Sequence, residues 1–111
     1  MLQLTNYVTL YIPSTLEGSK PAPEKLIEAQ VEKIARALTE AFGGATVQNA
    51  EGYYLSVSGE LIAERVKTIK AYTDASLEIV ATVAHELAQT IKRDMMQESV
   101  AFETNAGLTL V

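Results

Sequence analysis

Cysteine and tryptophan are absent from this sequence of 111 residues, and histidine occurs once. Without cysteine the chain can form no disulfide, no thiolate nucleophile and no thiolate zinc site. No apolar run approaches the roughly 18 residues that cross a bilayer, and the first residues lack the basic and apolar segments of an export signal. We therefore expect a cytoplasmic protein that uses no metal and no cofactor.

Positive charge is also scarce, because 9 lysines and arginines face 14 aspartates and glutamates and leave a net charge of −5. An acidic chain gains little from the phosphate backbone of a nucleic acid. With 48% hydrophobic residues, the composition is that of a globular domain. At this length we expect one domain covering residues 1–111, without a nucleic-acid or membrane partner.

The hydrophobic periodicity predicts strands and helices in an order that is typical of one architecture. Alternating residues predict strands, apolar residues at helical spacing predict helices, and Pro, Gly and Ser predict the connections. The predicted segments are a strand at 4–12, a loop at 13–23, a helix at 23–42, an irregular strand at 45–57 with a bulge or kink at Glu51-Gly52, a strand at 61–72, a helix capped by Asp74 that runs to residue 96, and an extended segment at 99–111 that is one bulged strand or a hairpin. We therefore predict an α+β, ferredoxin-like βαββαβ sandwich, with two helices on one face of an antiparallel sheet.

One face of this sheet is expected to stay uncovered by the helices. The apolar residues of the first strand belong on the helix side, so Tyr7 and Tyr11 face away from it. Because the first and third strands are central, Arg65 and Lys67 are predicted on the same open face, unless a bulge reverses their direction. Such a surface would serve a homodimer packed through the sheet or its edge, a small anionic or aromatic ligand held beside the loop at 13–23, or single-stranded nucleic acid. The consensus of an RNA-binding sheet is missing.

His85 and Glu64 are the residues that most invite acid–base chemistry. Histidine is the residue type best suited to proton transfer at neutral pH, but the helical wheel puts His85 off the apolar stripe of its helix, so we predict a solvated residue. Glu64 and Arg65 are neighbours in a strand and cannot share a face. Glu64 is either a general base in a partly apolar cleft, or half of an ion pair at the surface end of the strand.

Three short motifs resemble those of an uncharacterised family of small bacterial proteins. They are Gly52-Tyr53-Tyr54, a glycine followed five residues later by glutamate at 59–64, and Gln97-Glu98-Ser99-Val100 before the last strand. Members typically have tryptophan after the first glycine, where this chain has tyrosine, and many carry an export signal that this chain lacks. The resemblance implies that Tyr54, Glu64, Gln97 and Glu98 converge on one site, and it implies no particular reaction.

No motif of the sequence puts a nucleophile beside a base. We therefore expect a non-enzymatic binding or interaction module, a homodimer through its sheet, whose partner is a protein or a small molecule. The alternatives are a small dimeric ferredoxin-like enzyme that acts on a hydrophobic or anionic metabolite through Glu64, a tyrosine and His85, and a viral or plasmid-borne inhibitor of a host protein. No residue is assigned as catalytic, and the candidate ligand or interface residues are Tyr7, Tyr11, Tyr54, Glu64, Arg65, Lys67, Gln97 and Glu98.

Overall fold

The computed structural model describes residues 1–17 and 20–111, which form two helices, one large sheet and one small sheet. The small sheet lies within the predicted loop at 13–23, of which residues 18 and 19 fall outside the described residues. The elements are β1 (Asn6–Pro13), β2 (Thr15–Leu16), β3 (Lys20–Pro21), α1 (Glu24–Phe42), β4 (Thr46–Leu55), β5 (Leu61–Thr73), α2 (Leu77–Asp94), β6 (Ala101–Thr104) and β7 (Gly107–Leu110).

The large sheet has the strand order β4-β5-β1-β6-β7, and all neighbouring strands are antiparallel. The order β4-β5-β1-β6 is that of a ferredoxin-like sandwich, in which each helix connects two strands of the sheet that do not pair with each other. Both helices pack on the same face, α1 mainly against β5 and α2 mainly against β1 and β6. The predicted fold class is therefore confirmed, and β7 extends the sheet by one edge strand.

The core lies between this face of the sheet and the two helices. Alternate residues of β1 and β5 point towards the helices, and Leu10 stands opposite Ile69 there. Each helix meets them with residues that recur every three or four positions. The buried apolar residues are Val8, Leu10, Ile12, Ile27, Ile34, Leu38, Ile69, Ala71, Val80, Ala84, Ala88, Ile91, Met95, Val100 and Phe102.

The ends of both helices follow from local sequence. At the end of α1, Gly43 has a φ of 97°, in the left-handed region, and its N–H donates to the Thr39 carbonyl at 2.8 Å. At the start of α2, the Ser76 side chain accepts a hydrogen bond from the Ile79 N–H. The cap predicted at Asp74 is therefore wrong by two residues. In the part of the chain that the structure describes, no helix is long and apolar enough to cross a membrane.

The register of β4 on β5 decides which face each side chain occupies. Pairing is uninterrupted and puts Glu51 opposite Arg65 and Gly52 opposite Glu64, so these strands contain no bulge there. Because side chains alternate with a period of two, Arg65 and Lys67 lie on the same face as the buried Ile69, which is the helix side. The prediction that they join the tyrosines on the open face is wrong.

The C-terminal segment is a hairpin and not one bulged strand. β6 and β7 pair as far as Thr104 with Gly107, and Asn105 and Ala106 form the turn between them. Gly107 has a φ of 121°, which glycine adopts at no steric cost. The pairing of β6 with β1 also places Glu103 on the open face, beside the tyrosines of β1.

Candidate active site

A cavity of about 650 Å³ opens between the β4–β5 hairpin, the segment around β2, and the turn that joins α2 to β6. Its volume lies in the range of about 300–1,000 Å³ that is usual for small-molecule sites. Four of the eight candidate residues from the sequence meet there. The described lining residues are Thr15, Leu16, Glu17, Tyr54, Glu64, Met96, Gln97, Glu98 and Ser99.

The β4–β5 hairpin contributes Tyr54 and Glu64 from the face that the helices leave open. Tyr54 stands opposite Ile62, and Glu64 stands opposite Gly52, so the two side chains are diagonal neighbours across the strand pair. A Cβ added at Gly52 would meet only the main-chain oxygen of Glu64, at 3.9 Å. The last residue of each motif, Tyr54 and Glu64, thus lines one wall of the cavity.

Thr15 links this wall to the opposite one. Its hydroxyl donates to Oε1 of Glu64 at 2.9 Å. Its main-chain carbonyl accepts a hydrogen bond from Nε2 of Gln97 at 2.8 Å, and the same amide also donates to the Met95 carbonyl at 2.9 Å. Three segments that are far apart in the sequence are therefore tied together at one edge of the cavity.

The end of α2 determines where Gln97 lies. Met96 has a φ of 51°, and the N–H of Gln97 reaches back to the Lys92 carbonyl at 2.9 Å while the Met96 N–H reaches Arg93. This is a Schellman turn with methionine where glycine is usual. The turn reverses the chain and directs the amide of Gln97 towards Thr15.

The cavity wall carries negative charge. Glu17, Glu64 and Glu98 line it, and within residues 1–17 and 20–111 no lysine, arginine or histidine does. The ring of Tyr54 is half exposed beside these carboxylates. Carboxylates and an aromatic ring together favour a cationic ligand over an anionic one. The expectation of an anionic ligand therefore does not fit this cavity.

Tyr7 and Tyr11 lie elsewhere, in a cluster on the open face of β1. Their hydroxyls donate to the two carboxylate oxygens of Glu103 at 3.1 and 3.2 Å. This hydrogen bond raises the pKa of Tyr7, and burial together with the same carboxylate raises the pKa of Tyr11. The Lys70 ammonium lies 4.5 Å from the Tyr7 ring centroid and 4.9 Å from that of Tyr72. The cation of the predicted aromatic and basic surface is therefore Lys70. The two tyrosine hydroxyls and the Glu103 carboxylate are hydrogen-bonded to each other.

Arg65 and Lys67 line a second cavity of about 520 Å³ on the helix side of the hairpin. Glu24 and Glu51 line the same cavity, and the Lys67 ammonium donates to Oδ1 of Asn49 at 2.6 Å. The two basic residues are therefore separated from Tyr54 and Glu64 by the sheet. Of the eight candidates, the four that the family resemblance implies line one cavity, and the other four form two separate pairs elsewhere.

His85 is exposed on the surface of α2, as its position on the helical wheel predicts. Among the described residues, no group of three or more His, Asp or Glu side chains is placed to hold a metal ion. The alternative in which His85 and Glu64 transfer protons together has no geometric support, because His85 does not line the cavity.

Four lining residues belong to no candidate motif of the sequence, namely Thr15, Leu16, Glu17 and Met96. The sequence places the loop at 13–23 near a possible ligand, but no periodic pattern identifies which of its residues face a cavity. Met96 gave no signal, since a methionine in left-handed backbone is indistinguishable in sequence from any other methionine at a helix end.

No protein-family model and no curated protein matches the chain. Two solved structures match its entire length. One is described as a phage SAM lyase in complex with S-methyl-5'-thioadenosine, with a TM-score of 0.72, 17% identity, and coverage of 100% of this chain and 94% of that chain. The other is a phage SAM lyase in the apo state, with a TM-score of 0.74, 20% identity and the same coverage. At these identities the likeness establishes the fold.

The comparison also overturns the function expected from the sequence. Both matched structures are enzymes, and they match over nearly their whole length. The expectation of a non-enzymatic interaction module is therefore wrong, and the emphasis on protein binding has no support. The lack of a sequence motif with a nucleophile beside a base is therefore not evidence against catalysis.

Proposed function

We propose that this protein is an enzyme that cleaves S-adenosylmethionine and releases S-methyl-5'-thioadenosine. One observation carries the proposal: the cavity that joins Tyr54 to Glu17, Glu64 and Glu98 offers negative charge and an aromatic face, without a cation among its described lining residues. It occurs in the fold of proteins described as phage SAM lyases. We also propose the cytoplasmic location that the sequence leads us to expect.

The substrate matches the chemistry of this wall. S-adenosylmethionine carries two positive groups, the sulfonium and the α-ammonium, and carboxylates are suitable partners for both. The Tyr54 ring can contact the sulfonium or stack on the adenine. Leu16 and Met96 add apolar surface for the nucleoside. The product S-methyl-5'-thioadenosine is neutral and loses these charge interactions, which favours its release.

The reaction needs no group from the protein to bond with the substrate. The substrate carboxylate can attack its own Cγ and displace the sulfur, so that a C–O bond forms and the Cγ–S bond breaks. The bonding electrons go to sulfur, which becomes the neutral thioether, and the remainder of the amino acid closes a five-membered lactone. No proton enters or leaves, and the atoms and charges balance.

Such a reaction explains why the sequence carries no motif that puts a nucleophile beside a base. The enzyme has to hold the carboxylate in line with the Cγ–S bond, and orientation of this kind contributes several orders of magnitude to an intramolecular rate. Exclusion of water helps further, because opposite charges neutralise each other as the transition state forms. Binding residues such as Tyr54 and Glu64 can provide both effects.

The carboxylates of the cavity act on binding more than on the chemical step. The sulfonium loses its charge as the bond breaks, so a carboxylate against sulfur would stabilise the substrate more than the transition state. The α-ammonium keeps its charge throughout. We therefore place Glu64 or Glu98 at the ammonium, where it contributes equally to both states and lowers KM.

The first test is an incubation of the purified protein with S-adenosylmethionine, followed by chromatography and mass spectrometry of the products. We expect S-methyl-5'-thioadenosine and, at early times, homoserine lactone. In Glu64→Gln we expect KM to rise about 10- to 100-fold, the effect of losing one charge-assisted hydrogen bond, with a smaller change in kcat.

Glu86→Gln is the matched control, because Glu86 is exposed on α2 and does not line the cavity. It should behave as the wild type. If the wild-type protein forms no S-methyl-5'-thioadenosine, the proposal is wrong. If 2-aminobut-3-enoate forms in place of the lactone, the protein is still a lyase, but its mechanism is a base-catalysed elimination.

A further inference from the structure

The carboxylate of Glu64 needs a fixed orientation to serve a charged substrate. A glutamate side chain rotates about three single bonds, and that of Glu64 is only half buried at the edge of the cavity. Among the residues that the structure describes, its one hydrogen-bond donor is the hydroxyl of Thr15, at 2.9 Å from Oε1. This contact leaves Oε2 for the ligand.

Thr15 is itself held in place by two other contacts. It pairs with Pro21 in the small sheet of β2 and β3, and its carbonyl accepts the hydrogen bond from Gln97. Gln97 in turn is fixed by the Schellman turn at the end of α2. The orientation of Glu64 therefore depends, through Thr15, on a rigid helix on the other side of the cavity.

We propose that Thr15 is a positioning residue, whose hydroxyl fixes the Glu64 carboxylate in the orientation that binds the α-ammonium of the substrate. This inference rests on the proposed function. Thr15 acts through Glu64 and does not need to touch the substrate. Without the hydroxyl, Glu64 rotates among several conformers, and only a fraction of the molecules present Oε2 to the ligand.

The experiment compares Thr15→Val, which keeps the shape of the side chain and removes the hydroxyl, with Thr15→Ser, which keeps the hydroxyl. Steady-state kinetics with S-adenosylmethionine should show KM raised about tenfold in Thr15→Val, with kcat little changed. Thr15→Ser should restore most of the affinity. Thr82→Val is the control, because Thr82 donates to the Glu78 carbonyl on the surface of α2, away from the cavity.

A double-mutant cycle separates positioning from a general structural effect. In the Glu64→Gln background, Thr15→Val should change KM much less than in the wild type, because the hydroxyl then has no carboxylate to position. Equal effects in both backgrounds would overturn the proposal, as would a wild-type KM in Thr15→Val. Should Thr15→Val not fold, Thr15→Ala enters the same cycle in its place.

Failure of the proposed function has a different signature. If the wild-type protein does not cleave S-adenosylmethionine, then both the function and the role of Thr15 are refuted together. If the wild type and Thr15→Val cleave it with the same KM, the function stands and only the role of Thr15 is refuted.

Discussion

Met96 has a backbone conformation that methionine rarely adopts, with a φ of 51°. For residues other than glycine, left-handed backbone costs about 1–2 kcal/mol, because Cβ approaches a carbonyl oxygen. The residue lines the cavity and closes the Schellman turn that directs Gln97. Backbone strain of this kind tends to persist where the surrounding structure uses it.

Replacement of Met96 by glycine should therefore stabilise the protein. Because the side chain is 52% exposed, little packing is lost, and relief of the left-handed strain should outweigh the added freedom of the unfolded chain by up to about 1 kcal/mol. Urea denaturation of Met96→Gly measures the change. Met95→Ala is the matched contrast, since Met95 is fully buried and its truncation should cost about 2–5 kcal/mol. A loss of stability in Met96→Gly would contradict the assignment of strain.

Residue by residue, only part of the site could be predicted from sequence. Tyr54, Glu64, Gln97 and Glu98 belong to motifs, so a resemblance could group them. Thr15 belongs to none, and its two partners lie 49 and 82 positions away. Hydrogen bonds over such separations leave no periodic trace, because they depend on how the elements are packed.

At the scale of the elements, Asp94 joins the end of α2 to the middle of α1. Its Oδ2 accepts hydrogen bonds from Gln30 at 2.7 Å and from Lys33 at 2.8 Å, and Arg93 donates to Oδ1 at 3.2 Å. The Asp94 side chain is only 20% exposed. The Lys33 ammonium is the main cause that lowers the pKa of Asp94 below its ordinary value of 3.8.

This lowered pKa makes the stability depend on pH in a defined direction. The ionised Asp94 stabilises the folded state above the pKa of the unfolded chain, and this contribution is lost as the pH falls through the lower pKa of the folded state. In Asp94→Asn we expect a loss of about 1–3 kcal/mol at pH 7, and the difference from the wild type should shrink below pH 4.

Denaturation curves of both proteins between pH 7 and pH 3 provide the measurement, and Glu86→Gln supplies a control whose curve should follow the wild type. A difference between wild type and Asp94→Asn that stays constant down to the lowest pH would show that the charge of Asp94 has no role.

Predictions at this scale succeeded where a pattern is long. The apolar stripes located both helices within three residues, because a stripe of 18 or 19 residues repeats several times. The faces of β5 were misassigned at Arg65 and Lys67, although an uninterrupted alternation from Ile69 would have given the correct side. A possible bulge at Glu51-Gly52 made that alternation ambiguous, and only the register resolves it.

At the scale of the whole molecule, the β4–β5 hairpin extends beyond the helices. The 13 residues of β5 span about 43 Å at 3.3 Å per residue, whereas the 19 residues of α1 span about 28 Å. The molecule is accordingly 49 Å long and 28 Å wide. Near the tip of the hairpin, Tyr53, Leu55, Val57 and Leu61 are exposed. A two-stranded ribbon with apolar side chains gains stability when another surface covers it.

We propose that a second copy of the chain covers this tip, and we keep the homo-oligomer expected from the sequence as a prediction. Light scattering during size-exclusion chromatography should give a mass above the 12.0 kDa of one chain. Leu55→Asp should lower that mass towards the monomer, because an aspartate cannot be buried there without a partner. Ile79→Asp is the control, since Ile79 is exposed on α2. A shift in Tyr11→Asp but not in Leu55→Asp would place the contact on the open face of the sheet, and a wild-type mass of 12.0 kDa would exclude both contacts.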